Sequence, residues 1–236
     1  MSATREPLSA RRLHPGAATL RVLAALLGYP DARLRGAVPE MTALFAEDGV
    51  LSASRRGEIE ALARWLESAD ALDAETAYVE TFDRGRATSL HLFEHVHGDS
   101  RERGPALIDL AQTYERAGLY LAPGELPDYL PAVLEFVSTQ PPREARAFLG
   151  EMAHLLNAIF SALLERGSRY ASVLGALLDL AGEKARAVEP AAEPSLDESL
   201  AEPPAFDGCA THGQARPGDP QPIRIVRKST SRGAPS

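Results

Sequence analysis

Between Ser54 and Glu67 the apolar residues Ile59, Leu62, Ala63 and Leu66 recur at helical spacing, so one face of this segment is built to be buried. The same periodicity predicts a first helix over Thr19–Leu27, stopped by Gly28 and Pro30. Asp31 is a candidate N-cap for a second helix reaching toward Phe45, with Gly36 and Pro39 weakening its first half. Asp73 is a candidate cap for a helix on which Tyr78 and Phe82, four residues apart, share a face. Asp83-Arg84-Gly85-Arg86 interrupts it, and Ser89–His97 reads as a short helix ending at Gly98. Pro105 suits the first turn of the next helix, whose stripe is Leu107, Leu110, Ala111 and Tyr114 and whose end is marked by Gly118. Leu119–Leu126 is a loop, and Pro127–Pro131 opens a helix with Asp128 as N-cap and Leu130, Leu134 and Val137 turned inward. Pro141 and Pro142 then open a long helix, Arg143–Glu165, with Phe148, Met152, Leu155, Ile159 and Leu163 as its stripe. A last helix covers Ser168–Arg186 and carries Tyr170, Val173, Leu174, Leu177 and Leu178.

Apart from Ile223-Arg-Ile-Val226, no segment alternates with period two, and no fixed-period repeat occurs. The predicted class is all-α, a compact multi-helix bundle. Residues 1–16 read as a flexible N-terminus and residues 17–187 as the helical domain. Residues 188–236 hold eight of the 18 prolines among acidic and small residues, a composition that builds no core and predicts a disordered tail. Within it, Pro220-Gln-Pro-Ile-Arg-Ile-Val-Arg-Lys228 is a basic, apolar patch suited to docking as an extended segment. Arg11-Arg12 ahead of Leu20–Leu27 imitates a twin-arginine export signal, but Arg21 breaks the apolar run and no small-residue cleavage site follows.

With 44% hydrophobic residues and only 6% aromatics, the core is a Leu, Ala and Val core. A formal net charge of -8 argues against general binding to nucleic acid or anionic membranes, and suits a basic peptide as ligand. No apolar run approaches the roughly 20 residues that span a bilayer. The single cysteine, Cys209, rules out an intrachain disulfide and is compatible with a cytoplasmic location.

Candidate chemistry concentrates in Tyr78–Gly104, which holds three of the six histidines. His91 and His95 are four apart, so a metal-dependent helical-bundle enzyme using His91, Glu94, His95 and His97 is one reading. Against it, no His-Glu-x-x-His occurs, and Cys209-x-x-His212 has no partnering cysteine pair. Nucleophile elbows and phosphate-cradling glycine loops are absent too. The other reading is a recognition surface, a groove with apolar walls and acidic ends that takes a peptide. Its candidates are Tyr78, Phe82, Asp83, Arg84, Arg86, Phe93, Glu94, His95 and His97, with Arg101 and Arg103 following. A third possibility is a buried junction in which Asp83 pairs with an arginine while Phe82 and Phe93 fill the core.

Three stretches are similar to the NarJ-type assembly chaperones of respiratory nitrate reductase, within the wider TorD-like group. They are Tyr78-x-x-x-Phe-Asp-Arg-Gly-Arg-Ala-Thr-Ser-Leu running into Leu92–Gly98; Arg103-Gly-x-Ala with Asp109-Leu and Tyr114-x-x-x-Gly118; and Leu126-Pro-Asp-Tyr-Leu-Pro131 with Leu134-Glu-Phe136. The resemblance implies an all-helical fold, no enzymatic activity and no cofactor of its own. It implies binding to the N-terminal region of the apo catalytic α subunit of nitrate reductase, which stays open until its molybdenum cofactor is inserted and then docks at the membrane. Molybdenum cofactor delivery proteins are a further implied partner, and a related molybdoenzyme an alternative client. In the wider group a Pro-Asp-His segment lines the peptide groove. Here it is Pro127-Asp128-Tyr129, with Tyr in place of His, and His91 stands where the family suggests Leu. On this reading Asp83, Glu94, Asp128 and Glu135 orient the peptide.

Overall fold

A computed structural model of the chain describes residues 16–98 and 100–187, which fall within one compact unit, Met1–Glu193. The Arg11-Arg12 pair, Cys209, His212 and Ile223–Val226 lie outside the described residues. The described residues form ten α-helices: α1 Ala17–Leu26, α2 Ala32–Asp48, α3 Ala53–Ser68, α4 Ala71–Phe82, α5 Leu92–His97, α6 Arg103–Arg116, α7 Leu130–Thr139, α8 Pro142–Glu151, α9 Ala153–Glu165 and α10 Ala171–Ala181. A 3-10 turn, Arg86–Thr88, lies between α4 and α5. The extended pairing among these residues is a single isolated bridge between His91 and Tyr129.

The helices start where short polar side chains satisfy free N–H groups. Asp31 accepts from Leu34 N at 2.8 Å, Ser52 from Arg55 N at 3.2 Å and Asp70 from Leu72 N at 2.9 Å. The cap of α4 is therefore Asp70, with Asp73 inside the first turn. α1 has no cap of its own. Asp48, the last residue of α2, serves it by accepting from Gly16 N and Thr19 N at 3.1 Å and from Thr19 Oγ1 at 2.6 Å.

α7 and α10 are buried on nearly every side, which identifies them as central helices. α1 lies against α7 and α2, and α10 against α9, α8 and α3. The face of α3 is as its periodicity predicts, with Ile59, Leu62, Ala63 and Leu66 all buried. α2 continues through Pro39 with only Val38 and Phe45 buried. On α6 only Tyr114 is fully buried; Leu107, Leu110 and Ala111 are half-buried.

Three expected elements are corrected. Arg143–Glu165 is two helices, meeting at Met152 with a 63° bend. The bend shifts the buried face: Leu149 and Leu156 are in the core, while Leu155 and Met152 pack at its edge. Ser89–His97 is not one helix, because His91 runs extended beside Tyr129 and the helix begins only at Leu92. Leu92 N donates to Asp128 O at 3.0 Å and Leu130 N to Leu90 O at 2.8 Å. Finally, Asp128 does not cap α7; Tyr129 occupies that N-cap position without a side-chain bond.

Candidate functional site

The bridge between Leu90–Leu92 and Asp128–Leu130 joins the two segments richest in candidate residues. Asp128, fully buried, sits at their junction. Its Oδ2 accepts from Phe93 N at 3.1 Å, so it caps α5. Its Oδ1 lies 3.4 Å from His91 Nδ1, and Arg103 Nη2 lies 3.8 Å from Oδ2. The same Arg103 nitrogen pairs with Glu94 Oε1 at 3.3 Å. One guanidinium thus ties the start of α6 to α5 and to the segment before α7. Its Nε is buried without a hydrogen-bond partner.

Burial pushes the Asp128 carboxyl up, but the hydrogen bonds from His91 and Phe93 N and the charges of His91 and Arg103 outweigh it and hold the group below its ordinary range. His91 moves the other way. Its hydrogen bond to Asp128 raises it, burial opposes this, and the charges of Asp128 and Glu94 add to the rise. Both shifts favour the charged pair.

Beneath the junction is an aromatic cluster. Tyr78 stacks on Phe82 at 4.9 Å between ring centres and on Tyr29 edge-on at 5.5 Å, and Phe82 meets Tyr170 at 4.9 Å. Tyr78 donates to Leu27 O at 3.0 Å, and its hydroxyl lies 3.3 Å from that of Tyr129. The Tyr129 ring tilts against His91 at 5.3 Å. Burial raises the phenols of both Tyr78 and Tyr129.

Above the cluster a cleft of about 410 Å³ opens between the end of α4 and the start of α5 and α6. Phe82 is its apolar floor; Asp83, Arg86, His91, Glu94 and Arg103 supply its walls. Gly85, at φ 114°, makes the turn that brings Arg86 back over it. Gly98, at φ 52°, lets the Arg86 guanidinium pass close: a Cβ there would lie 3.1 Å from Arg86 Nη1. The walls are polar and carry charges of both signs, not apolar with acidic ends. The apolar side chains Leu90 and Leu92 are spent in the core because their backbone pairs with Asp128–Leu130.

The structure brings together Phe82, Asp83, Arg86 and Glu94 in the cleft and places Tyr78, Asp128 and Tyr129 directly behind it. Pro127 is buried, its carbonyl accepting from Tyr114 Oη at 2.8 Å. Phe93 and His97 pack against each other at 5.4 Å. His95 Nε2 lies 2.9 Å from Ser89 O. Arg84 turns outward to Glu80 at 3.7 Å, and Glu135 lines a different cleft beside Tyr120. Asp83 is exposed, so the buried ion pair belongs to Asp128 and Arg103 instead. His91 and His95 are engaged separately, and among the described residues no group of three or more His, Cys, Asp and Glu is arranged to hold a metal ion. Arg103, already in view in the sequence beside Arg101, is the residue that joins the candidates. Ser89, which also lines the cleft, and Tyr29, which packs on Tyr78, were not among the candidates, and nothing in the sequence brings Tyr29 to Tyr78.

Every residue lining this cleft falls inside residues 48–174, the span that matches the nitrate reductase delta subunit family. The chain belongs to that family. It is 44% identical over 162 residues, 69% of each chain, to the nitrate reductase molybdenum cofactor assembly chaperone NarJ of Escherichia coli (strain K12). It is 34% identical over 163 residues, 68% of this chain and 86% of the relative, to a probable chaperone of the same name from Bacillus subtilis (strain 168). The all-helical fold is also that of a putative redox enzyme maturation protein from Archaeoglobus fulgidus. That likeness has a TM-score of 0.54 at 20% identity, covering 76% of this chain and 100% of the other. Among the described residues no single helix is long and apolar enough to cross a membrane.

Proposed function

We propose that this chain is a non-catalytic assembly chaperone of nitrate reductase. It binds the N-terminal region of the apo catalytic subunit in the cytoplasm and holds it ready for molybdenum cofactor insertion, before the complex docks at the membrane. The observation that carries this reading is the coincidence of the family match with the cleft above the Asp128 junction. A cleft with an aromatic floor and charges of both signs can hold a peptide by its side chains and its backbone together. The net charge of -8 favours a basic segment. Cofactor delivery proteins would be a second class of partner, recruited once the catalytic subunit is held.

The test is titration calorimetry of the chain with a synthetic peptide from the start of the nitrate reductase catalytic subunit. Binding that weakens when the cleft is altered by Phe82→Ala, with helicity retained, supports the reading. Absence of binding to the folded wild type at high micromolar peptide overturns it.

A further inference from the structure

Besides the cleft above Asp128, the described residues form a smaller one beside Tyr114, whose hydroxyl donates to the Pro127 carbonyl. It holds about 80 Å³ and lies between the Leu119–Leu126 loop and α7. Its floor is the pair Tyr114 and Phe136, with ring centres 4.8 Å apart. Tyr120, 80% exposed, stands at its edge. Glu125 and Glu135 lie on its rim, both exposed. Glu125 spends one oxygen on Ala122 N at 3.4 Å, while the carboxylate of Glu135 faces no basic group across the cleft. No Lys, Arg or His lines it. Two wider clefts among the described residues differ here: one carries Arg86 and Arg103, the other Arg166 and Arg169. The floor rings are almost wholly buried, so the accessible aromatic face is that of Tyr120. An exposed aromatic face beside rim carboxylates, with no competing cation, attracts a positively charged side chain through the ring quadrupole and the Coulomb term together.

We propose that this cleft anchors a single arginine or lysine side chain of the bound client segment, with Glu135 as its counter-ion and Tyr120 as its covering face. The proposal rests on the peptide-binding reading above and deepens it by naming a specificity-determining pair. The Pro127–Tyr129 segment links the two regions: Tyr114, on the floor of this cleft, donates to the Pro127 carbonyl, and Asp128 accepts from Phe93 N behind the other.

Two measurements test it and keep its failure distinct from that of the parent reading. The first uses blocked arginine (N-acetyl-arginine amide) as probe, followed by amide chemical shifts in the folded full chain. Shifts confined to Tyr114–Phe136, saturating and weakened roughly two- to five-fold by Glu135→Gln, are expected for an exposed ion pair with aromatic support. No localised shift, or equal shifts in Glu135→Gln, overturns the proposal whatever the client is. The second is a double-mutant cycle on the client peptide, pairing Glu135→Gln and Tyr120→Ala with single Arg→Gln or Lys→Gln changes in the peptide. Coupling at one basic position, fading at high salt, supports it. Wild-type binding with no coupling at any basic position overturns it while leaving the parent reading intact.

Discussion

The Asp128 carboxylate caps α5 from outside that helix, accepting the Phe93 N–H at 3.1 Å across 35 residues of sequence. Asp48 does the same for α1, reaching Thr19 N across 29 residues. A six-residue helix gains little from its own hydrogen bonds, so α5 depends on this external partner. The position of Glu94 beside the cleft depends in turn on α5. The first prediction is that Asp128→Ala destabilises the fold by about 2–4 kcal/mol, from a lost cap and buried donors left unpaired. Asp128→Asn, which keeps an acceptor for Phe93 N, should recover part of this. Urea denaturation midpoints decide it; a neutral Asp128→Ala would mean that α5 holds without its cap.

The pair formed with His91 makes stability depend on pH in two directions. Asp128 is depressed from 3.8, so its contribution is present above that value and is lost as pH falls through the lower folded value. His91 is raised from 6.5, so its contribution is complete below that value and is lost as pH rises through the higher folded value. Relative to His91→Gln, the wild type should have its largest advantage in melting temperature between about pH 4 and 6 and lose it as pH rises through the raised folded value of His91. Because His91 is about a third exposed, the effect should be small. A difference independent of pH would show that His91 acts by packing alone.

Much of the fold was legible where one helix buries one face. Ile59, Leu62, Ala63 and Leu66 needed nothing beyond their spacing, and Asp31 announced its own cap. The bend at Met152 was not legible, because apolar residues continue through it in both possible phases. Neither was the end of the Ser89–His97 helix, since Leu90 and Leu92 are equally suited to a helix face and to the extended pairing they adopt. The site was legible where it is contiguous: Phe82, Asp83, Arg86 and Glu94 lie within thirteen positions of one another. Its long-range links were not. Nothing in local pattern says that Asp128 serves Phe93 rather than the helix it precedes, or that Glu135 faces Tyr120 instead of the main cleft.

The bend at Met152 yields a third prediction. Leu156 is fully buried, whereas Leu155 packs at the core edge. Leu156→Ala should cost about 2–5 kcal/mol and Leu155→Ala clearly less. An unbroken helix in the expected phase would reverse that order. Parallel urea unfolding of the two variants reads the result directly.

A fourth prediction concerns the residues beyond Ala187. Their composition, with eight prolines among acidic and small residues, supplies no core. A chain ending at Ala187 should therefore unfold cooperatively with a melting temperature within a few degrees of the full chain. Collapse of the transition would show that these residues are part of the folded unit.

The two carboxylates of the main cleft should affect client binding by different routes. Asp83 is exposed at the mouth, free to act at a distance on an approaching basic peptide. Glu94 is half-buried and already paired with Arg103, so its removal leaves that guanidinium to Asp128 alone and reshapes the wall. Asp83→Ala should slow association by a few-fold and flatten its salt dependence, with dissociation little changed. Glu94→Ala should chiefly speed dissociation, by several-fold, because the pair it breaks is internal to the chain and half-buried. Binding kinetics of the catalytic-subunit peptide at low and high salt separate the two. If Asp83→Ala acts on dissociation instead, the peptide covers that carboxylate, and the mouth of the cleft lies further toward Tyr29.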